Sequence, residues 1–323
     1  MILAYHRIST VKPDHYLLRH LFVEPSMFEK QVVYLKKNYR VVSLDEFECL
    51  FTRKAFHNCV VITFDDGYED TYRHAFPILK KHHLPATVFP TTAYLGTRRA
   101  FWWERLSYIL LHARTKRLRF RQGRTAFNIQ LKTPAMKQKA FFALSALFKD
   151  GNEADNNATL QWLSEKLGTA LPENGSRKLQ WKQVREMAGQ RIGFGAHTET
   201  HPRLAHMDGF RLDEELSGPK KTLEENLDRE IRAFAYPYGS RADFGTRSRK
   251  ALIRAGYKIA LTMTNMPVDA SSDPYALPRM AAHPGNEFRF RLRLRKRLLI
   301  PPQDPAGAEA RPSPGGTDGC LAV

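Results

Sequence analysis

Long apolar runs are missing from this chain of 323 residues: Cys59-Val60-Val61-Ile62 and Ile109-Leu110-Leu111 are typical of what it offers. A membrane-spanning helix needs about 18 consecutive apolar residues, so none is expected. Cysteine is scarce and odd in number. Cys49, Cys59 and Cys320 share no paired metal spacing, which excludes a disulfide framework and a thiolate zinc site, and Cys59 reads as a packed strand residue. The opening MILAYHRIST turns polar after about five residues without a basic stretch leading into an apolar one, so no secretory signal is expected and the expected address is cytoplasmic. Acidic residues are also in short supply, 33 against 51 Lys and Arg, which leaves a net charge of +18 and invites a polyanionic neighbour. No zinc-finger, RRM or other nucleic-acid module accompanies that charge, so no specific nucleic-acid partner is expected. No internal repeat is present.

What the chain does have is 42% hydrophobic positions, enough for a sizeable core. They are arranged as short apolar segments alternating with longer amphipathic ones, the pattern of an α/β fold with a mainly parallel sheet. Strands are expected at residues 2–5, 41–43, 59–64, 86–89, 192–196, 233–236 and 257–263, seven in all, near the count of a barrel. Ser26 with Glu29 and Ser43 with Glu46 have the spacing of helix-starting capping boxes. Residues 1–96 and 191–286 thus form two parts of one α/β unit. Between them, residues 97–190 read as a helical insertion or small lid, carrying Trp102, Trp103, Trp162 and Trp181, indoles suited either to the insertion's own core or to stacking on sugar. Residues 287–300 form a basic amphipathic segment in which Arg289, Arg291, Arg293, Arg295, Lys296 and Arg297 accompany Phe290, Leu292 and Leu294. Such a segment either closes the fold or touches anionic lipid headgroups. Residues 301–323 are rich in Pro, Gly, Ala and Ser and read as a disordered tail.

Three patterns carry chemistry. Val60-Val61-Ile62-Thr63-Phe64-Asp65-Asp66-Gly67 is a buried strand that ends in two adjacent carboxylates and a glycine. Strand C-terminal ends are where sites are built in parallel α/β folds, although Asp-Asp-Gly is also ordinary turn chemistry. Gly195-Ala196-His197-Thr198-Glu199-Thr200-His201 ends another strand, and two His at i and i+4 can share one face of a helical turn and present both rings to a metal. With 12 His in the chain the spacing alone is weak, but its position beside the carboxylates makes a mixed oxygen and nitrogen set that suits a catalytic divalent ion. Third, Ala233-Phe234-Ala235-Tyr236 closes in Pro237-Tyr238-Gly239, a turn able to aim a backbone N–H at an oxyanion.

Taken together, T-F-D-D-G, then H-T-x-x-H, then P-Y-G is similar to the polysaccharide deacetylases of carbohydrate esterase family 4, the NodB-homology domains. The resemblance spans roughly residues 2–283 and is nearest the exopolysaccharide-associated branch, whose members often share the early Tyr-His segment and an aromatic before Pro-Tyr-Gly. It implies a distorted (β/α)7 barrel and metal-dependent removal of acetyl from an N-acetylated glycan. It makes Asp66, His197 and His201 the ligands of a divalent metal, zinc first, with cobalt, nickel or iron able to bind the same set. Asp65 becomes the general base, Tyr238 the oxyanion donor through its backbone N–H, and Thr198 an orienting residue. His6, Tyr236, Pro237 and Gly239 become candidate substrate contacts.

The sequence departs from the family at two places. The arginine that often precedes Pro-Tyr-Gly is replaced by Ala235 and Tyr236, which leaves Arg279 as the candidate replacement. The late histidine motif is missing, so His283, which also reads as a surface residue, is the candidate general acid, with His6 the other imidazole at the same rim. Competing readings are a glycan-binding pseudoenzyme, and a deacetylase of a small or lipid-linked amide at the inner face of a membrane.

Overall fold

A computed structural model describes residues 1–122, 125–149, 151–207, 209–282 and 287–298. The expected tail, 301–323, and His283 lie outside the described residues. The first part of the chain runs β1 (Ile2–Tyr5), β2 (Arg7–Ile8), β3 (Phe22–Val23), α1 (Pro25–Asn38), β4 (Arg40–Val41), α2 (Leu44–Thr52), β5 (Cys59–Asp66), α3 (Phe76–His82) and β6 (Ala86–Pro90). The insertion supplies α4 (Trp102–Leu111), β7 (Arg117–Gln122), β8 (Thr125–Gln130), α5 (Pro134–Lys149), α6 (Glu153–Leu167) and α7 (Trp181–Ala188). The last part runs β9 (Ile192–Phe194), α8 (Gly209–Leu227), β10 (Ala233–Ala235), α9 (Thr246–Arg254), β11 (Ile259–Thr262), β12 (Leu277–Pro278), β13 (Met280–Ala281) and α10 (Glu287–Leu298).

The strand β5 is buried along its whole length because it is central: β1 pairs with it through Ile2–Val61 to Tyr5–Phe64, and β6 through Thr63–Thr87 to Asp66–Pro90. Strands covered on both faces need the near-continuous apolar run that Val60-Val61-Ile62 provides. The six-stranded sheet runs β13-β1-β5-β6-β9, with β4 on the start of β5, and every pair in it is parallel. A second parallel sheet, β10-β11-β12, meets the first at two seams. One is the isolated bridge between Ala196 and Phe234, and the other is Arg279, the single residue between β12 and β13. The expected barrel is therefore an α/β fold whose parallel strands form two main sheets and the separate β2–β3 pair, not one closed ladder.

At α1 the expected Ser26 cap gives way to Pro25, whose fixed φ suits the first helical turn, with Glu24 as N-cap. Ser43 does cap α2, accepting from the Glu46 N–H at 3.0 Å. The insertion is not purely helical. Leu118, Phe120, Phe127 and Ile129 alternate with polar residues and pair across the antiparallel hairpin β7–β8, where Phe120 and Phe127 stack at 4.4 Å. Its helices bury Trp102, Trp103, Phe141, Leu144, Phe148 and Leu163 in a cluster of their own, completed by Leu17 and Leu18 from a 3-10 segment at Pro13–Leu21. Trp162 packs at the edge of that cluster and Trp181 against the main core. The helix α10 lies on α1 and seats Phe290 and Leu294 in the main core, while Phe288 is 71% exposed. Among the described residues no helix is long and apolar enough to cross a membrane.

Candidate active site

The C-terminal ends of β5, β9 and β10 converge on one buried pocket of about 30 Å³, walled by His6, Asp65, Asp66, His197, His201, Trp103, Tyr236 and Tyr238 together with Leu21 and Met263. Left-handed backbone turns each motif inward: φ is +70° at Asp66, +61° at Thr198, +67° at His201 and +61° at Tyr238. Non-glycine residues hold such angles only where the surroundings enforce them, and they concentrate at functional sites. The two histidines accordingly do not share a helical turn. They sit on a loop, residues 197–201, closed by Thr198, whose Oγ1 donates to the His197 carbonyl at 2.5 Å and accepts the His201 N–H at 2.9 Å. Glu215 on α8 fastens the same loop by accepting the N–H groups of Glu199 and Thr200 at 2.8 and 2.9 Å and the Thr200 hydroxyl.

Asp66, His197 and His201 offer ligand atoms that all lie within 4.8 Å of one another. The His197 Nδ1 faces the Ala235 carbonyl at 2.7 Å and can only donate to it, which leaves Nε2 bare towards Asp66 Oδ1, 3.6 Å away. The His201 Nε2 lies 3.5 Å from the same oxygen. Asp66 Oδ1 is fully buried without a hydrogen-bond partner, an arrangement that costs free energy unless a cation completes it. Burial raises the affinity of the Asp66 carboxyl for a proton, but the surrounding His197, His6 and His201 hold it below the usual carboxylate range. Burial, with His197 alongside, pushes His201 down to about 3, so its ring is neutral at pH 7, the form that binds a metal. The donor set fits a divalent ion with open positions.

Asp65 differs in every respect. Both of its oxygens are bound by Arg279, Nη1 to Oδ1 and Nη2 to Oδ2, each at 2.7 Å. Arg279 is fully buried and also donates to Thr63 Oγ1 at 3.1 Å and to the Thr262 carbonyl at 3.2 Å. Burial acts to raise the Asp65 carboxyl, and the guanidinium more than offsets it, so Asp65 is held ionised.

The backbone N–H of Tyr238 has no partner among the described residues, while its hydroxyl accepts from Trp102 Nε1 at 3.1 Å. Tyr236 walls the pocket and donates its hydroxyl to the Tyr275 carbonyl at 3.0 Å. Pro237 and Gly239 shape the turn without lining the pocket. Of the four indoles left between core and site, Trp103 lines the pocket, its ring 4.7 Å from that of His201, put there by the folding of the insertion back over the motifs, and Thr63, read only as part of its strand, anchors Arg279.

The chain is similar to proteins of known family and fold. A family model described as polysaccharide deacetylase matches residues 53–119 and 133–260. The Bacillus subtilis protein named as the polysaccharide deacetylase YxkH is 22% identical over 287 residues, 88% of this chain and 71% of that protein. A poly-beta-1,6-N-acetyl-D-glucosamine N-deacetylase of Staphylococcus aureus is 37% identical over 81 residues, 24% of this chain and 28% of that protein. Among solved structures, the Streptococcus pyogenes deacetylase PplD in complex with acetate superposes with a TM-score of 0.60 at 21% identity, covering 90% of this chain and 95% of that one. IcaB from Ammonifex degensii superposes with a TM-score of 0.56 at 20% identity, covering 88% and 91%. The two likenesses show a shared fold, and with the family model covering more than half of its residues the chain belongs to the polysaccharide deacetylases of carbohydrate esterase family 4, hydrolases of carbon–nitrogen bonds other than peptide bonds.

Proposed function

We propose that the protein removes N-acetyl groups from an N-acetylated glycan with the help of a divalent ion, zinc first, held by Asp66, His197 and His201. The observation that carries this is the buried, unbonded Asp66 Oδ1 facing two imidazole nitrogens. When bound, such an ion supplies Lewis acidity, polarising a carbonyl and acidifying water. Asp65, kept ionised by Arg279, takes the proton of the attacking water. The free N–H of Tyr238 stabilises the tetrahedral oxyanion, and Trp102 fixes that turn through the tyrosine hydroxyl. His6, at the rim and outside the ligand set, gives the departing amine its proton. A pocket of about 30 Å³ takes the acetyl group and leaves the sugar ring outside, against Tyr236 and the neighbouring loops.

The test is metal content by elemental analysis together with acetate release from β-1,6-linked N-acetylglucosamine oligomers, a first choice guided by the Staphylococcus relative. Near-stoichiometric metal and acetate release, both lost in Asp66→Ala and His197→Ala, are expected. A chain that takes up no metal even on reconstitution overturns the proposal, and metal without acetate from any acetylated oligomer turns it into a glycan-binding pseudoenzyme.

A second feature supports placement at the inner face of a membrane. On α10 the exposed Phe288 and Leu292 lie one helical turn apart, beside Arg289 and Arg293. Cations near an anionic surface contribute about 1 kcal/mol each, and buried apolar side chains add to that. Sedimentation with phosphatidylglycerol vesicles at low salt, weakened in Phe288→Ser and absent with phosphatidylcholine alone, is the expected result. Failure to sediment with either lipid removes the membrane from the account.

A further inference from the structure

A second cavity, far larger than the metal pocket at about 720 Å³, opens at the same end of the parallel strands. No residue lines both, but close neighbours in the sequence do. His6 faces the metal pocket and Arg7 the larger cavity; Asp65 and Asp66 face the first, and Glu69, Asp70 and Arg73 the second; Trp103 faces the first and Glu104 the second. The size lies within the range of ligand-binding clefts.

The charge in this cavity is uncompensated in one sense only. Three of the four lining carboxylates have a cationic partner: Asp70 pairs with Arg7, Glu69 with Arg73 at 2.9 Å and Glu104 with Lys178 at 3.2 Å, while Asp14 faces the His112 ring at 3.4 Å. Lys12, Arg98 and Arg177 also line it, and none of the three forms an ion pair with a described residue. They come from three separate stretches of chain that are fixed in place. The Arg98 carbonyl accepts from Gly175 N–H at 2.8 Å, and the Arg177 carbonyl from Glu69 N–H at 3.0 Å. Gly175 passes so close to residue 100 that a Cβ would stand 2.4 Å from the Ala100 Cα, which locks the Arg98 and Arg177 segments together. On the floor, the buried Arg7 guanidinium lies between the Tyr68 ring at 4.0 Å and the Phe22 ring at 4.7 Å and donates to Ser176 Oγ at 3.0 Å. Lys12, Arg98 and Arg177 are exposed, yet cations that converge on a concave surface concentrate anions there more than the same charges spread over a convex one.

We propose that this cavity binds a ligand carrying at least two closely spaced oxyanion groups, next to the metal pocket and independently of any metal. Two sources share that chemistry: a diphosphate joining a sugar to its carrier, and acidic sugar units of the glycan itself. The test is calorimetric titration of the whole chain at low salt with inorganic pyrophosphate in one arm and an oligogalacturonate in the other. Wild type is compared with Arg98→Ala/Arg177→Ala and with Lys37→Ala/Lys54→Ala, a control that removes two exposed cations outside the cavity. Binding in either arm, weakened about tenfold or more in the first variant and unchanged in the control, is expected. The arm that binds identifies the source, and both arms binding assigns the shared chemistry. Lack of binding in both arms, or equal weakening in the two variants, overturns the proposal, the latter because the general charge of +18 would then be responsible. The readout is binding alone, so it stands or falls separately from the deacetylase activity.

Discussion

Asp65 and Asp66 are neighbours in the chain with opposite surroundings, one doubly bonded to a guanidinium and the other facing two imidazoles with an oxygen unbonded. In the proposed reaction the first arrangement orients a base and the second leaves lone pairs for a cation. Replacing Arg279 tests this division. Lysine keeps the charge but not the planar two-donor geometry, so Arg279→Lys is expected to lower kcat by about 10²-fold with little change in KM and no loss of bound metal, as read by initial rates and elemental analysis. The motif residues were legible in the sequence because they cluster within a few positions at strand ends. Arg279 was legible only as the replacement for a missing arginine, since 214 residues separate it from Asp65. Trp103 was legible only as one of two alternatives, because an aromatic in an amphipathic helix looks the same whether it fills a core or faces a site, and this one does both.

At the scale of elements, the site depends on β9 lying tight against its neighbours. A Cβ on Gly195 would stand 2.3 Å from Phe89 Cε1 and 2.7 Å from the Ala233 carbonyl oxygen, so no side chain fits there without moving a strand. Gly195→Ala is expected to destabilise the fold by about 1–3 kcal/mol, the usual cost of overpacking, measured by urea denaturation. The seven expected strands fall within a residue or two of β1, β4, β5, β6, β9, β10 and β11, whereas the two-residue parallel strands β2, β3, β12 and β13 are too short to leave an apolar run. The hairpin β7–β8 was not legible, because arginines at positions 117, 119 and 121 make its alternation look like a solvated charge run between helices, so it passed unassigned within an insertion read as helical. The histidine loop was likewise misread as a helical turn, because the i, i+4 spacing is also satisfied by a loop with two left-handed residues.

For the whole molecule, buried ionised groups hold the two ends of the insertion together, with Arg7 of the α/β unit beside them. Glu104 on α4 is buried with Lys178, and although burial raises its carboxyl, Lys178 and Arg7 hold it below the usual glutamate range. A group whose pKa is lower folded than unfolded stabilises the fold above its unfolded value, about 4.3, and that contribution fades as pH falls through the folded value. Tm is therefore expected to fall steeply below about pH 4, and in Glu104→Gln to start lower at pH 7, by the equivalent of about 3–5 kcal/mol, and to fall less with acid. Thermal unfolding followed by circular dichroism from pH 3 to pH 7 checks both. The α/β class was legible because alternation survives any arrangement of the strands, whereas the division into two sheets rests on single-residue seams that leave no periodic trace. One of those seams has a further consequence. The His197 ring is held by the carbonyl of Ala235, across the Ala196–Phe234 bridge, and a carbonyl is the same whatever side chain its residue carries. The side chain at position 235 is thus not what steers the ring, and the imidazole is aimed by the path of the backbone rather than by any single letter of the sequence.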